Sequence, residues 1–191
     1  MSYCTLREVK DELDITEVKY DGFLTAMAEQ ASEFIDRYCD REFEPVTATR
    51  YFDGGASVLF VDDLISVSAL ELDEDADGVI DATCATTDYY LYPLNKYPKT
   101  RIEISNDSDY SGFASGVKSG VKVTGSWGYA STVPTTIKRA CIIQTCRWFK
   151  RRESAFQDMS GSPELGQFIA YKGLDPDLKL ILEQYRKRGY P

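Results

Sequence analysis

The 191-residue sequence contains no histidine. Histidine is the commonest general base of enzymes and the commonest metal ligand of proteins, so its absence excludes Ser–His and Cys–His nucleophilic pairs. The sequence also lacks a GxSxG motif, a phosphate-binding P-loop and a GxGxxG fingerprint. We therefore predict that the protein is not an enzyme and needs no cofactor.

Cysteine is scarce, with an odd count and no CxxC or zinc-type spacing. We expect reduced thiols, as in a cytosolic protein, and we expect those in helical patterns to act as small buried apolar residues. The five are Cys4, Cys39, Cys84, Cys141 and Cys146. Long apolar runs are also missing, so we predict no membrane-spanning segment, and the N-terminus has no stretch typical of a secretory signal.

Positive charge is scarce in most of the chain, and the net charge is −9. Residues 1–133 carry 11 basic and 25 acidic side chains, whereas residues 134–191 carry 11 basic and 6 acidic. An acidic bulk argues against a general nucleic-acid-binding protein, which needs a basic footprint. The cationic C-terminal part either contacts an acidic protein or a neighbouring copy's acidic part, or consists of solvated helix faces.

Apolar residues recur every three or four positions in four segments, which predicts four helices. The segments are residues 6–14, 21 to about 40, 134 to between 152 and 156, and 175–188. Residues 14–20 form a polar connection, and Asp21 is a candidate N-cap of the second helix. A flexible linker is predicted at residues 160–163.

Between the second and third helices the period changes to two, and turn signals separate short β-branched and aromatic runs. The predicted strands are residues 49–52, 58–61, 67–72, 89–92, 101–104 and 121–129, with a turn at 62–64. Gly125 and Gly128 flank Trp127, which indicates a bulge or a tight exit. The fold class is therefore α+β: residues 1–47 and 134–191 form a frame of about four helices, and residues 48–133 form an inserted antiparallel sheet or small barrel.

One acidic turn is similar to a calcium loop of the EF-hand type. Asp73, Asp75 and Asp77 alternate, a glycine follows for the sharp turn, and Asp81 adds a fourth carboxylate. The twelfth position is Cys84, where that motif needs a glutamate, and the flanks read as strands. The turn is therefore either a solvated connection between strands or a weak calcium site.

Basic residues cluster in two places. Three cations at the end of the third helix either stabilise the helix dipole or contact an acidic partner or DNA phosphate. In the tail, two tyrosines interleave with cations, a composition that favours an interface with a partner protein or a neighbouring subunit. The candidate partner-binding residues are Lys150, Arg151, Arg152, Tyr185, Arg186, Lys187, Arg188 and Tyr190.

A set of short segments, in this order, resembles the head–tail connector (adaptor, or head completion) proteins of tailed bacteriophages, in the group with a β insertion between the helices. The segments are residues 31–43, 49–54, 59–64, 87–93, 121–129, 133–134 and 149–152. Their shared order carries the resemblance, because each piece alone is a weak packing pattern.

The resemblance implies a structural virion protein without catalytic residues. It implies a homo-oligomeric ring of about twelve copies, assembled in the host cytoplasm and seated in the neck beneath the portal protein at the capsid vertex. DNA would pass through the lumen without sequence-specific binding, and neck or tail completion proteins would bind below. The C-terminal segment would dock on the portal.

Two other interpretations stay open. The acidic turn and the 13 tyrosines are compatible with a calcium-binding adhesion or carbohydrate-binding module. A bare α+β scaffold domain with an unspecified partner is the third possibility.

Overall fold

The computed structural model describes residues 2–75, 77–113, 116–153, 159–162, 167–170 and 174–187. It confirms the α+β class, with four α-helices and a six-stranded antiparallel sheet in that part of the chain. The chain forms two compact units. The helical unit comprises Met1–Arg41 and Pro134–Pro191, and the β unit comprises Glu42–Val133.

Four helices and one short 3-10 turn lie in the helical unit. The helices are α1 (Leu6–Leu13), α2 (Asp21–Cys39), α3 (Thr135–Glu153) and α4 (Pro176–Tyr185), and the 3-10 turn is Val18–Tyr20. Among the described residues, no helix combines the length and apolarity that crossing a bilayer requires.

The helix starts follow local chemistry. Thr5 and Glu8 form a capping box at α1, and Asp175 accepts hydrogen bonds from the first backbone N–H groups of α4. The predicted N-cap at Asp21 is wrong, because the 3-10 turn runs directly into α2 and Tyr20 takes that position. The Asp21 carboxylate instead accepts a hydrogen bond from Lys10 at 2.6 Å.

The core of the helical unit lies where α2 packs against its neighbours. The apolar stripe of α2 is buried at Leu24, Ala28, Ala31 and Ile35, as the helical spacing predicts. From the other helices, the buried residues include Val9, Ile137, Ala140, Phe149, Leu178 and Leu182. Because Leu178 and Leu182 are fully buried, α4 is part of this core.

An ion pair joins α1 to α3. Two guanidinium nitrogens of Arg139 donate to the two carboxylate oxygens of Glu12, at 2.5 and 2.9 Å. This bidentate hydrogen bond lowers the pKa of Glu12.

The β unit is built on one antiparallel sheet with the order β1-β6-β2-β5-β4, to which β3 adds by pairing with β2. Its strands are β1 (Val46–Phe52), β2 (Val58–Leu72), β3 (Ala82–Cys84), β4 (Tyr89–Tyr92), β5 (Lys99–Ile104) and β6 (Val121–Trp127). β2 and β6 lie at the centre and supply much of the buried core.

β2 differs from its prediction. The turn predicted at residues 62–64 is wrong, because Val58–Leu72 is one strand with register shifts in its pairing to β5 and β6. Inward and outward side chains continue to alternate through the acidic pair: Asp62 is exposed and Asp63 is buried. Asp62 accepts a hydrogen bond from Arg50 of β1 at 2.9 Å, so a carboxylate that resembles a turn signal is a cross-strand partner.

β6 alternates buried and half-buried residues, with Val121, Val123, Gly125 and Trp127 inward. A Cβ atom at Gly125 would lie 2.2 Å from the carbonyl oxygen of Ser66, so only glycine fits where β2 shifts register. Trp127 is fully buried and donates its indole N–H to the carbonyl oxygen of Ala48 at 2.9 Å.

The linker predicted at residues 160–163 is wrong where the structure describes it. β7 (Met159–Ser162) pairs antiparallel with β8 (Gln167–Ala170). Small polar residues there belong to a strand rather than to an unstructured connection.

We expect Gly125→Ala to destabilise the β unit by about 1–3 kcal/mol, because the added methyl group overlaps the backbone of β2. Urea denaturation followed by tryptophan fluorescence measures the effect. Gly55→Ala is the matched control: that residue is exposed and its added Cβ would have no neighbour within 4 Å. Equal stability losses in the two variants would contradict the steric account.

We expect Glu12→Gln to lower the free energy of unfolding at pH 7 by less than about 1 kcal/mol, because the pair is partly exposed. The pKa of Glu12 is lowered in the folded protein, so the pair's contribution is present above the unfolded pKa and is lost as the pH falls through the folded one. The difference from the parent protein should therefore shrink between pH 7 and about pH 3.5.

The control for this experiment is Glu29→Gln, a change on the exposed part of α2. Urea denaturation at both pH values gives the comparison. A Glu12→Gln effect of the same size at both pH values would show that the ion pair does not cause it.

Candidate docking surface

The basic run predicted from the sequence lies at the C-terminal end of α3. Lys150 and Arg152 are exposed, and Arg151 is half-buried. The guanidinium carbon of Arg152 lies 4.3 Å from the ring centroid of Phe23, near the start of α2. Cations at this end of α3 also interact favourably with the helix dipole.

Aromatic side chains lie beside Arg152. Phe149 is buried, and its ring centroid lies 5.3 Å from that of Tyr20 and 6.4 Å from that of Phe23. Lys19 places its ammonium 4.6 Å from the Tyr20 ring centroid. We call the resulting surface the cation–aromatic patch; it consists of Lys19, Tyr20, Phe23 and Arg152.

The patch has the chemistry of a protein interface. Arginine and aromatic residues are enriched at such surfaces, and cations attract carboxylate or phosphate groups across them. Within the described part of the chain, no acidic side chain forms an ion pair with Lys19, Lys150 or Arg152. These three cations are therefore candidates for contact with an acidic partner.

Sequence reasoning identified Lys150, Arg151 and Arg152 but missed the residues from the other side of the patch. Tyr20 was assigned to a polar connection, and Phe23 lies beside the apolar stripe that begins at Leu24. One signal for these residues was present in the sequence: Tyr20 and Phe23 are two aromatic residues at the start of α2 that lie outside its apolar stripe. Because they are far from the end of α3 in the sequence, their contact with it could not be predicted.

The predicted tail residues lie elsewhere on the helical unit. Tyr185 lies within hydrogen-bonding distance of Thr136, 2.8 Å between the hydroxyl oxygens. Lys187 donates its backbone N–H to the carbonyl oxygen of Cys39 at 2.7 Å. Arg188 and Tyr190 lie outside the described residues.

α4 and the residue that follows it contact Tyr38 of α2 in two places. Arg186 pairs with Glu183 at 3.8 Å, and its guanidinium carbon lies 5.9 Å from the Tyr38 ring centroid. Tyr38 donates its hydroxyl to Glu183 at 2.7 Å, which raises the pKa of Tyr38.

The structure does not bring the two predicted basic groups together. The tail contacts Thr136 at the start of α3, whereas the basic run ends that helix. Residues 136 and 151 are separated by about 22 Å at the helical rise of 1.5 Å per residue. The two groups are therefore separate surfaces, and their partner-binding role stays a prediction for each.

The acidic turn connects β2 to β3. One carboxylate oxygen from each of Asp73, Asp75 and Asp77 lies within 4.8 Å of the others. Asp73 is buried, with only 2% of its surface exposed, whereas Asp75 and Asp77 are exposed. Carboxylate oxygens are ligands that calcium accepts, so these three could hold a cation with further oxygen ligands.

Backbone N–H groups of the same turn already engage these carboxylates. Gly78 donates to Asp73 at 3.0 Å, and Val79 donates to Asp77 at 2.7 Å. Asp81 lies outside the group of three and accepts a hydrogen bond from the backbone N–H of Glu74 at 3.2 Å. These contacts are typical of a turn whose carboxylates accept hydrogen bonds from its own backbone N–H groups. Calcium binding stays a prediction.

Folding redistributes the charge that the sequence divides between its two ends. The helical unit contains 16 acidic and 16 basic side chains, so its formal charge is zero. The β unit contains 15 acidic and 6 basic side chains and carries the whole net charge of −9. The basic residues of α3 and of the segment after α4 share a unit with the acidic residues of α1 and α2.

Among protein-family models and curated proteins, none matches this chain. Solved structures do match, over nearly its whole length. One is the neck of an empty gene transfer agent (GTA) particle computed with C6 symmetry, at 16% identity and a TM-score of 0.58. That match covers 99% of this chain and 92% of the other.

Two further structures match similarly. The virion of a native GTA particle matches at 16% identity and a TM-score of 0.55, covering 99% of this chain and 92% of the other. The neck of a native GTA particle computed with C12 symmetry matches at 17% identity and a TM-score of 0.53, covering 97% of this chain and 90% of the other. At these identities the likeness concerns the fold.

Proposed function

We propose that this protein is a structural subunit of the neck of a tailed-phage-like particle. In this role it is a head–tail connector (adaptor) that docks beneath the portal protein, extends the DNA channel and offers an attachment surface to neck or tail completion proteins. The observation that carries the proposal is the fold likeness to GTA neck and virion structures, which covers 97–99% of this chain. The resemblance to phage connector proteins supports the same assignment.

The proposed assembly is a homo-oligomeric ring of about twelve copies at the portal vertex. The matched necks were computed with C6 and C12 symmetry, and both are compatible with a ring of that size. A closed ring requires each subunit to present two different, complementary surfaces to its neighbours. Assembly by shape needs no catalytic group, which fits a chain without histidine.

The charge distribution suits a channel through which DNA moves. The β unit carries a net charge of −9, and carboxylates repel the phosphates of passing DNA. A lumen formed by such a surface lets DNA pass without sequence-specific binding.

The alternative function, suggested by the acidic turn, is a calcium-binding adhesion or carbohydrate-binding module.

The proposed portal contact uses the cation–aromatic patch. Its cations have no described acidic partner within the chain, and its aromatic rings provide contact area at low conformational cost. The tail at Tyr185, Arg186 and Lys187 is the second proposed contact, reaching the portal or a neighbouring subunit. Because α4 contributes two fully buried leucines to the core, point substitutions test docking better than a truncation does.

We expect the purified protein to comigrate with purified portal protein on a sizing column. Charge reversal at the C-terminal end of α3, Lys150→Glu with Arg152→Glu, should weaken that association about tenfold or more, because it replaces attraction with repulsion at the contact. Raising the salt concentration should weaken the parent complex in the same direction. Arg186→Glu tests the tail separately.

The matched control is Lys179→Glu, an exposed charge reversal on α4 outside the patch. It should leave comigration unchanged, and every variant should melt well above the temperature of the column experiment. Absence of comigration by the parent protein would contradict portal docking. Unchanged comigration by the double variant would remove the patch from the interface.

A further inference from the structure

A pair of buried thiols joins the N-terminal segment to α3. The Sγ atoms of Cys4 and Cys141 lie 3.1 Å apart, and 4% and 0% of these residues are exposed. Among the described residues, no other two cysteine sulfurs lie within hydrogen-bonding distance of each other. The five cysteines are all reduced, and this pair alone is placed to react internally.

Anchoring contacts hold Cys4 at this position. Tyr3 donates its backbone N–H to the Ser32 hydroxyl at 2.9 Å, and its own hydroxyl donates to Asp36 at 2.5 Å. Both partners lie on α2, so the N-terminal segment lies against that helix. Cys141 approaches from α3, and Ser32 also lies 3.4 Å from its sulfur.

Cys141 differs from the other four cysteines in acidity. The hydrogen bond between the two sulfurs lowers the pKa of the Cys141 thiol and raises that of Cys4, so Cys141 is the more acidic thiol of the pair. Burial raises the pKa of Cys39 to about 12, and the pKa of Cys84 and of Cys146 to about 11. Those three remain protonated at neutral pH and react slowly with oxidants.

We infer that Cys4 and Cys141 form an oxidation site that a small peroxide converts into an intramolecular disulfide, fastening the N-terminal segment to α3. This inference stands on the thiol geometry and does not depend on the proposed neck function. The disulfide closes a loop that spans the whole β unit, and a closure of that length stabilises the folded state by restricting the unfolded chain.

The chemistry balances with hydrogen peroxide as the oxidant. The Cys141 thiolate attacks one peroxide oxygen, so an S–O bond forms, the O–O bond breaks and the departing hydroxide takes up a proton to give water. The Cys4 thiol then attacks the sulfenic sulfur. An S–S bond forms, the S–O bond breaks, and the oxygen leaves as a second water with the thiol proton.

The test treats the full chain with hydrogen peroxide, alkylates the remaining thiols and maps tryptic peptides without reduction. We expect one dominant cross-link between the peptide of residues 1–7 and that of residues 140–147. The second peptide contains both Cys141 and Cys146, so fragment spectra of the parent protein and a Cys146→Ser variant assign the sulfur. Reduction with dithiothreitol should separate the peptides.

Thermal melting gives an independent readout. Peroxide should raise the Tm of the parent protein by about 5 °C or more, and reduction should reverse the rise. Cys4→Ser should abolish both the cross-link and the rise and leave a sulfenic acid on Cys141 that dimedone labels. Cys39→Ser and Cys84→Ser, the matched controls, should keep the cross-link.

Two results would overturn the inference. One is a parent protein whose five thiols remain fully alkylatable after peroxide treatment that consumes added glutathione. The other is a cross-link that joins Cys141 or Cys4 to a different cysteine.

Discussion

The pairing of β6 with β2 is the constraint on which the β unit depends. β6 bonds β1 on one side and β2 on the other, and the partners on β1 and β2 lie 49 to 81 positions earlier in the chain. The close approach at Gly125 and the buried indole of Trp127 fix that register. The cation of Arg50, 4.4 Å from the Trp127 ring centroid, then links the same anchor to the carboxylates of Asp62 and Glu42. In the β unit, Trp127 therefore contributes to the buried core, to the strand register and to the position of the surface ion pairs.

The helical unit illustrates a different principle, which is internal charge compensation. Acidic α1 and α2 share their unit with basic α3 and with the cations that follow α4, and Arg139 of α3 pairs with Glu12 of α1. The unit is formally neutral, and the net charge of the protein lies on the β unit alone. In the proposed ring around DNA this separation would be useful, because a neutral helical unit can build protein contacts while an acidic unit repels phosphate. The exposed cations of the patch are local features of a neutral unit and do not form part of a global basic face.

Local patterns predicted the elements well, and tertiary contacts explain where they did not. Helical spacing located α2, and alternation with turn signals located β4, β5 and β6. The break assigned at Asp62 and Asp63 was wrong because adjacent carboxylates look like a turn until a partner strand supplies the cation. The cation–aromatic patch and the thiol pair each bring together residues that are more than 120 positions apart in the sequence. Phe23 contacts Arg152 in the patch, and Cys4 contacts Cys141 in the thiol pair. Periodicity identifies which face of a helix is buried, but it does not identify which residue of another helix lies against it.

The central claim is that this chain works by shape, as one member of a ring in the neck of a virus-like particle. Cryo-electron microscopy of intact particles, at a resolution that traces side chains, tests it most directly. The account predicts density at the portal vertex into which the helical and β units of this sequence fit, repeated around the DNA channel. Particles that contain the portal and tail but show no density for this polypeptide at the neck would contradict it.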